Sequence, residues 1–169
     1  MEELKKKCKD LKIIISAVDG VITDGGAAFD ELQNTLFKNY CLKDFEAINL
    51  IKKAFKFVFI SEDNAINYNL FRARNIPFYW APKNKKKVMV DIMQRYGYKP
   101  ENVMYVGCTY SDIECMHIAE VSLCTQDAPK TVNSAADYLI PAFGGENVLC
   151  ELYEILKYII SECPLTNGD

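Results

Sequence analysis

Asp19 and Gly20 follow directly on the apolar run Ile13-Ile14-Ile15-Ser16-Ala17-Val18, and Thr23-Asp24-Gly25 comes just after them. A carboxylate beside a strand-end turn can give or take a proton next to a bound anion. Ser61, after Lys56 to Ile60, adds a hydroxyl. Lys85, shortly after Phe78 to Trp80, adds an ammonium able to bind phosphate as a point charge. Gly107-Cys108-Thr109-Tyr110-Ser111-Asp112, after Val103 to Val106, adds a thiol and a second carboxylate. The amides of the Gly20 turn, the Ser61 hydroxyl and the Lys85 ammonium together outline an anion cradle. Each residue also has an ordinary use. Asp-Gly is a common turn dipeptide, Ser61 suits the N-cap of a helix starting at Asn64, and Asp112 suits the cap of a helix running to Ala119. Cys108 at a strand end invites a nucleophile reading, since a thiolate at a helix N-terminus has a lowered pKa. No partner base supports it, because the only histidine, His117, lies nine residues further on.

These positions share a logic only if the chain forms a parallel α/β sheet, where ligands sit beyond the carboxyl ends of the strands. The pattern supports that arrangement: short β-rich runs alternate with longer helical ones. Strands are expected at Lys12 to Val18, Lys56 to Ile60, Phe78 to Trp80, Val103 to Val106, Val121 to Cys124 and Tyr138 to Ile140. Helices are expected at Asp44 to Lys53, Asn64 to Arg74, Lys86 to Tyr96, Asp112 to Ala119 and Asn147 to about Ser161, each with apolar residues three or four apart. Ala27 to Tyr40 breaks the alternation. Its β-type residues flank the polar turn Asp30-Glu31-Leu32-Gln33-Asn34, so it reads as a hairpin projecting beside Asp19. The expected fold is a Rossmann-like three-layer α/β sandwich with a mainly parallel central sheet and a projecting β-hairpin.

Size and composition narrow the function classes. At 169 residues, half of them hydrophobic, the chain suits one domain. No apolar run approaches the roughly 20 residues that span a bilayer, and Met1 to Asp10 is too polar for a secretory signal, so a cytoplasmic protein is expected, or a nuclear one in a eukaryote. Seven cysteines, odd in number and widely spaced, favour free thiols over a disulfide framework, and no CxxC pair argues for zinc. A net charge of -3 gives no broad electrostatic footprint for nucleic acid. Lys83, Lys85, Lys86 and Lys87 form the one basic run, most of it expected to be solvated.

In order and spacing, the four strand ends resemble the four motifs of the haloacid dehalogenase-like superfamily. The hairpin after Thr23-Asp24-Gly25, the Phe59-Ile60-Ser61 and Tyr105-Val106-Gly107 strand ends, and Ala136-Asp137-Tyr138 followed by Gly144-Gly145 are similar to its cap-less acidic-sugar phosphatases. These are the 3-deoxy-manno-octulosonate 8-phosphate phosphatases and their sialic-acid-pathway relatives, including the domain fused behind animal acylneuraminate cytidylyltransferases. The resemblance runs from about Leu11 to Ile160. It implies a magnesium-dependent phosphomonoester hydrolase in which an aspartate at position 17 attacks phosphorus, Asp19 handles the proton, Ser61, Lys85 and Gly20 hold phosphate, and the Asp19 carbonyl helps to hold the metal. It further implies a homotetramer built through the hairpin and a possible partner enzyme of a sugar-nucleotide pathway.

The same comparison marks departures. The nucleophile position is Ala17, and the metal carboxylate expected after Gly107 is Cys108, leaving Asp112 as the residual acidic ligand. Magnesium prefers oxygen ligands including one or two carboxylates, so its binding is expected to be weak or absent. Glu62-Asp63 stands where Gly-Arg is usual after Ser61, Lys43-Asp44-Phe45 replaces Arg-Asp-Gly, and Cys150 takes the place of an arginine after the Gly-Gly pair. The expectation is a catalytically impaired phosphatase-like domain with an assembly or regulatory role. Two alternatives stay open: an active phosphatase for an octulosonate or sialic acid phosphate, and a non-hydrolytic sensor of phosphate or a sugar acid.

Overall fold

A computed structural model describes residues 2–63 and 66–161. Six strands form one sheet: β1 (Ile13–Ala17), β4 (Lys56–Ser61), β5 (Phe78–Trp80), β6 (Val103–Gly107), β7 (Val121–Thr125) and β8 (Tyr138–Ile140). Their spatial order is β5-β4-β1-β6-β7-β8, and every pairing is parallel. β1 has neighbours on both sides, and its five residues are all buried, which is why it reads as a continuous apolar run instead of an alternating one. From β1 the chain winds outward through β4 to β5, then returns to β6 on the other side. That reversal opens a crevice at the carboxyl end of β1.

Successive β1 side chains alternate between two cores. Ile14 joins Phe57, Phe59, Met104 and Val106 under α2 (Leu42–Ile51) and α7 (Val148–Ser161), while Ile13 and Ile15 join Val58, Ile60 and Tyr105 under α4 (Lys85–Tyr96). α3 (Asn67–Ala73) sends Phe71 into the first core. α5 (Ile113–Met116) and α6 (Lys130–Ala135) cover the second through Cys115, Met116 and Val132. α1 (Glu2–Lys7) buries Leu4 against the first. The result is the expected three-layer sandwich.

The hairpin forms as expected, with β2 (Ala28–Phe29) antiparallel to β3 (Thr35–Phe37). Asp30 organises its turn, accepting from the amides of Leu32 and Asn34. A bridge between Thr23 and Tyr40 closes its base. Several boundaries differ from expectation. The segment Asp112 to Ala119 is a 3-10 turn at Tyr110–Asp112 followed by the single helical turn of α5. α3 begins at Asn67 with Ile66 as its N-cap, so Ser61 does not cap it; Asn64 and Ala65, part of the expected helix, lie outside the described residues, as does Cys163.

Candidate functional site

The sheet brings the expected residues together at its carboxyl edge. Ala17 ends β1 and Ser61 ends β4, partnered through the Ala17–Ile60 register. Ala17 is fully buried. After it the chain turns so tightly that the amides of Val21, Ile22 and Thr23 all donate to the Val18 carbonyl, so that these three are spent on the turn itself. Gly20 has φ +77, and a Cβ there would lie 2.8 Å from Cys108 Sγ and overlap it. Gly144 packs onto the same loop, its own would-be Cβ lying 2.6 Å from the Gly20 carbonyl oxygen.

Asp19 is held by the protein itself. The Ser61 hydroxyl donates to its Oδ2 at 2.9 Å, and the Lys38 ammonium lies 2.7 Å from its Oδ1. The same ammonium is 2.6 Å from Asp63 Oδ2. Lys38 follows β3, and its side chain is only 4% exposed although it reaches in from an exposed hairpin. Burial works to lower its pKa, but the bonds to Asp19 and Asp63 outweigh that and raise it. Ser61 Oγ in turn accepts from the Asp63 amide and from Asn67 Nδ2. Of the two acids after Ser61, Glu62 is exposed and Asp63 is neutralised by Lys38.

Asp112 forms a second closed centre. It is fully buried, its Oδ1 accepting from Lys85 Nζ and the Tyr105 hydroxyl, each at 2.7 Å. Its Oδ2 accepts from the amides of Cys108 and Thr109 and from the Thr109 hydroxyl. Burial pushes its carboxyl up, yet the Lys85 charge and these hydrogen bonds hold it below the usual carboxylate range. Instead of capping α5 it clasps the loop that precedes that helix. Lys85 reaches it from the first turn of α4, whose N-cap is the Asn84 side chain accepting from Lys87 N.

Cys108 is buried against Gly20, and burial pushes its thiol pKa up, so at neutral pH it is a protonated thiol and a poor nucleophile. His117 is exposed on the surface after α5. Cys150 lies in the first turn of α7, its amide donating to Asp44 Oδ1. The Asp44 carboxylate thus caps that helix through the amides of Leu149 and Cys150.

A hard divalent cation needs oxygen donors with lone pairs to spare. Ala17 has none, Cys108 offers a neutral thiol, and Asp112 already accepts five hydrogen bonds. Asp19 is occupied by Lys38 and Ser61. Among the described residues, no three His, Cys, Asp or Glu side chains converge on a point that could hold a metal ion. The side chains present do not fit magnesium. The structure brings Asp19 to Ser61 and Lys85 to Asp112, with Gly20 against Cys108 between the two strand ends, and sequence reasoning missed Lys38.

A parallel sheet with this crevice, and a hairpin leaving it after β1, defines a doubly wound α/β domain, and the family model described as haloacid dehalogenase-like hydrolase matches residues 27–143. The chain belongs to that family. The resemblance to the cap-less octulosonate phosphatases is borne out. The chain is 24% identical over 156 residues to the 3-deoxy-D-manno-octulosonate 8-phosphate phosphatase of Haemophilus influenzae, covering 90% of this chain and 86% of that relative. The cobalt-bound structure of the Haemophilus influenzae phosphatase superposes with TM-score 0.85 at 23% identity, covering 96% of both chains. A Moraxella catarrhalis phosphatase in complex with magnesium, phosphate and KDO superposes with TM-score 0.83 at 18% identity, covering 95% of this chain and 92% of that one.

Proposed function

We propose that this chain is a catalytically impaired member of the acidic-sugar phosphatase subgroup, serving as an assembly or regulatory domain. One observation carries the reading: where the family places its attacking aspartate stands the buried methyl group of Ala17. The neighbouring carboxylates are engaged by lysines of the chain itself, Asp19 by Lys38 and Asp112 by Lys85. Without a nucleophile and with a poor ligand set for magnesium, covalent phosphoryl transfer has no first step. Losing a nucleophile typically costs several orders of magnitude in rate.

The assembly role draws on the hairpin, the element through which the subgroup forms tetramers. Phe29, Leu32, Leu36 and Phe37 are more than half exposed on it, a clustering that suits burial against other copies of the chain. The sensor reading is weaker, since Ser61 and Lys85 already have partners within the protein.

Purified protein is assayed with magnesium against 3-deoxy-octulosonate 8-phosphate, a sialic acid phosphate and an aryl phosphate, beside an active relative. The expected result is no turnover above background; a rate within about tenfold of the relative overturns the proposal. Light scattering gives the mass in solution, and a monomer at micromolar concentration removes the assembly role.

A further inference from the structure

At the opposite edge of the sheet, about 20 Å from Asp19 along β1, lies an open cleft of roughly 780 Å³. Five cations line it: Lys12 just before β1, Lys56 opening β4, Lys52 and Lys53 directly after α2, and Arg72 in the last turn of α3. No lining residue is Asp or Glu. In a chain of net charge -3, this concentrates positive charge in one recess.

Basic residues at helix carboxyl ends often do no more than complement the helix dipole. Lys52 fits that description, its Nζ donating to the Asn75 carbonyl at 2.8 Å. The account does not reach Lys12 and Lys56, which precede or open strands. Lys56 lies over the Tyr96 ring at 4.0 Å. Lys12, Lys53 and Arg72 are exposed, and among the described residues no carboxylate or carbonyl takes their head groups. Uncompensated like charges in a recess repel one another and focus a field that draws in an anion. The recess has the size of a small-molecule site, and Phe55, Ile76 and Pro77 give it an apolar wall.

We propose that this cleft is a second anion site, binding a small molecule that carries two or more phosphate groups on a body with an apolar face. Nucleoside polyphosphates and phosphorylated sugars share that chemistry. Several phosphate oxygens are needed to engage cations contributed by three separate segments, and the apolar wall accepts the rest of the ligand. An extended polyanion is disfavoured by the acidic balance of the remaining surface.

The test is calorimetry on the full chain at about 0.15 M salt, where exposed charges are already screened, with ATP, a hexose bisphosphate and inorganic tripolyphosphate as probes. Saturable binding is expected for at least one probe, weakened about tenfold or more in K53A/R72A. Lys53→Arg with Arg72→Lys, which keeps both charges, should stay within about threefold of wild type. Lys86→Ala, whose ammonium pairs with Glu114 away from the cleft, should change nothing. ATP or the bisphosphate binding tighter than tripolyphosphate supports recognition of the apolar body as well as the phosphates. Equal binding of all three keeps the anion site and removes the apolar-body element. Failure of all three to saturate, insensitivity to K53A/R72A, or binding of an oligonucleotide while the small probes stay inert overturns the proposal. Hydrolysis is not read out, so the result is independent of the reading of Asp19.

Discussion

Replacing Lys85 by methionine tests whether Asp112 depends on its ammonium. The two side chains are 5% and 0% exposed, so the pair is shielded from solvent on both sides. Removing one partner of a buried pair costs about 3–5 kcal/mol, because the remaining charge is stranded. Asp112 would keep the Tyr105 hydroxyl, the Cys108 and Thr109 amides and the Thr109 hydroxyl, which puts the expected loss near the lower end, about 3 kcal/mol. The pH dependence follows from the sign of the shift. Asp112 has a folded pKa below its ordinary value, so its contribution is complete above the unfolded carboxylate pKa of about 3.9 and is lost as pH falls through the folded value. Lys85→Met raises that folded pKa, so the gap between the two proteins is widest at neutral pH and narrows as Asp112 becomes protonated. Urea denaturation followed by circular dichroism at pH 7 and near pH 3 measures both quantities. Lys86→Met, which breaks the exposed pair with Glu114, should cost about 0–1 kcal/mol. A deficit under about 1 kcal/mol for Lys85→Met, or one unchanged between the two pH values, refutes the reasoning.

Three further outcomes are expected. Lys38→Met should leave Asp19 and Asp63 repelling each other; because both are about a third exposed, the cost is about 1–2 kcal/mol, and hairpin amides should exchange faster while those of β1 and β6 keep their protection. The wild-type tether holds at neutral pH, and on the lysine side it weakens as pH climbs past 10.5 through the raised Lys38 value; hydrogen exchange that leaves the hairpin unchanged in the variant rejects the tether. Gly20→Ala should destabilise by about 2 kcal/mol through its positive φ and the overlap with Cys108 Sγ and Cβ, and adding Cys108→Ala, which removes Sγ but keeps Cβ, should recover the part due to Sγ; no recovery means that the Sγ overlap is not a cause. In native thiol labelling read by peptide mass, the half-buried Cys41 should react ahead of the buried Cys8, Cys108, Cys115 and Cys124, whose thiols burial shields and pushes up, Cys8 and Cys115 to about 12 and Cys124 to about 11; early labelling of Cys115 contradicts the packing around Tyr105.

The sheet was legible because its strands are unusually apolar. β5 and β8 match expectation to the residue, and the other four lie within one residue at each end. α1 and α6 went unread for a common reason: each has six residues and buries only one, Leu4 or Val132, so neither displays a repeating apolar face. The site was legible at strand ends, where topology converts sequence position into spatial position. Lys38 was not, because its place depends on the hairpin carrying it to Asp19 and Asp63, contacts that no local pattern encodes. One signal was available. Two acids after Ser61 called for a compensating cation, and Lys38 is the only basic residue between Ala27 and Tyr40.

That lysine also constrains how the chain can change. Asp19, Lys38 and Asp63 lie on three segments far apart in sequence, and the one ammonium serves both carboxylates, leaving a net negative charge. Losing either acid leaves a one-to-one ion pair, whereas losing the lysine leaves two acids facing each other, so the lysine is the member that cannot be lost alone without a penalty. Either acid can change while the lysine stays, but the lysine is fixed for as long as both acids remain. An aspartate introduced at position 17 would add a further negative charge beside a cluster that already carries one, so that substitution runs uphill unless another cation arrives with it.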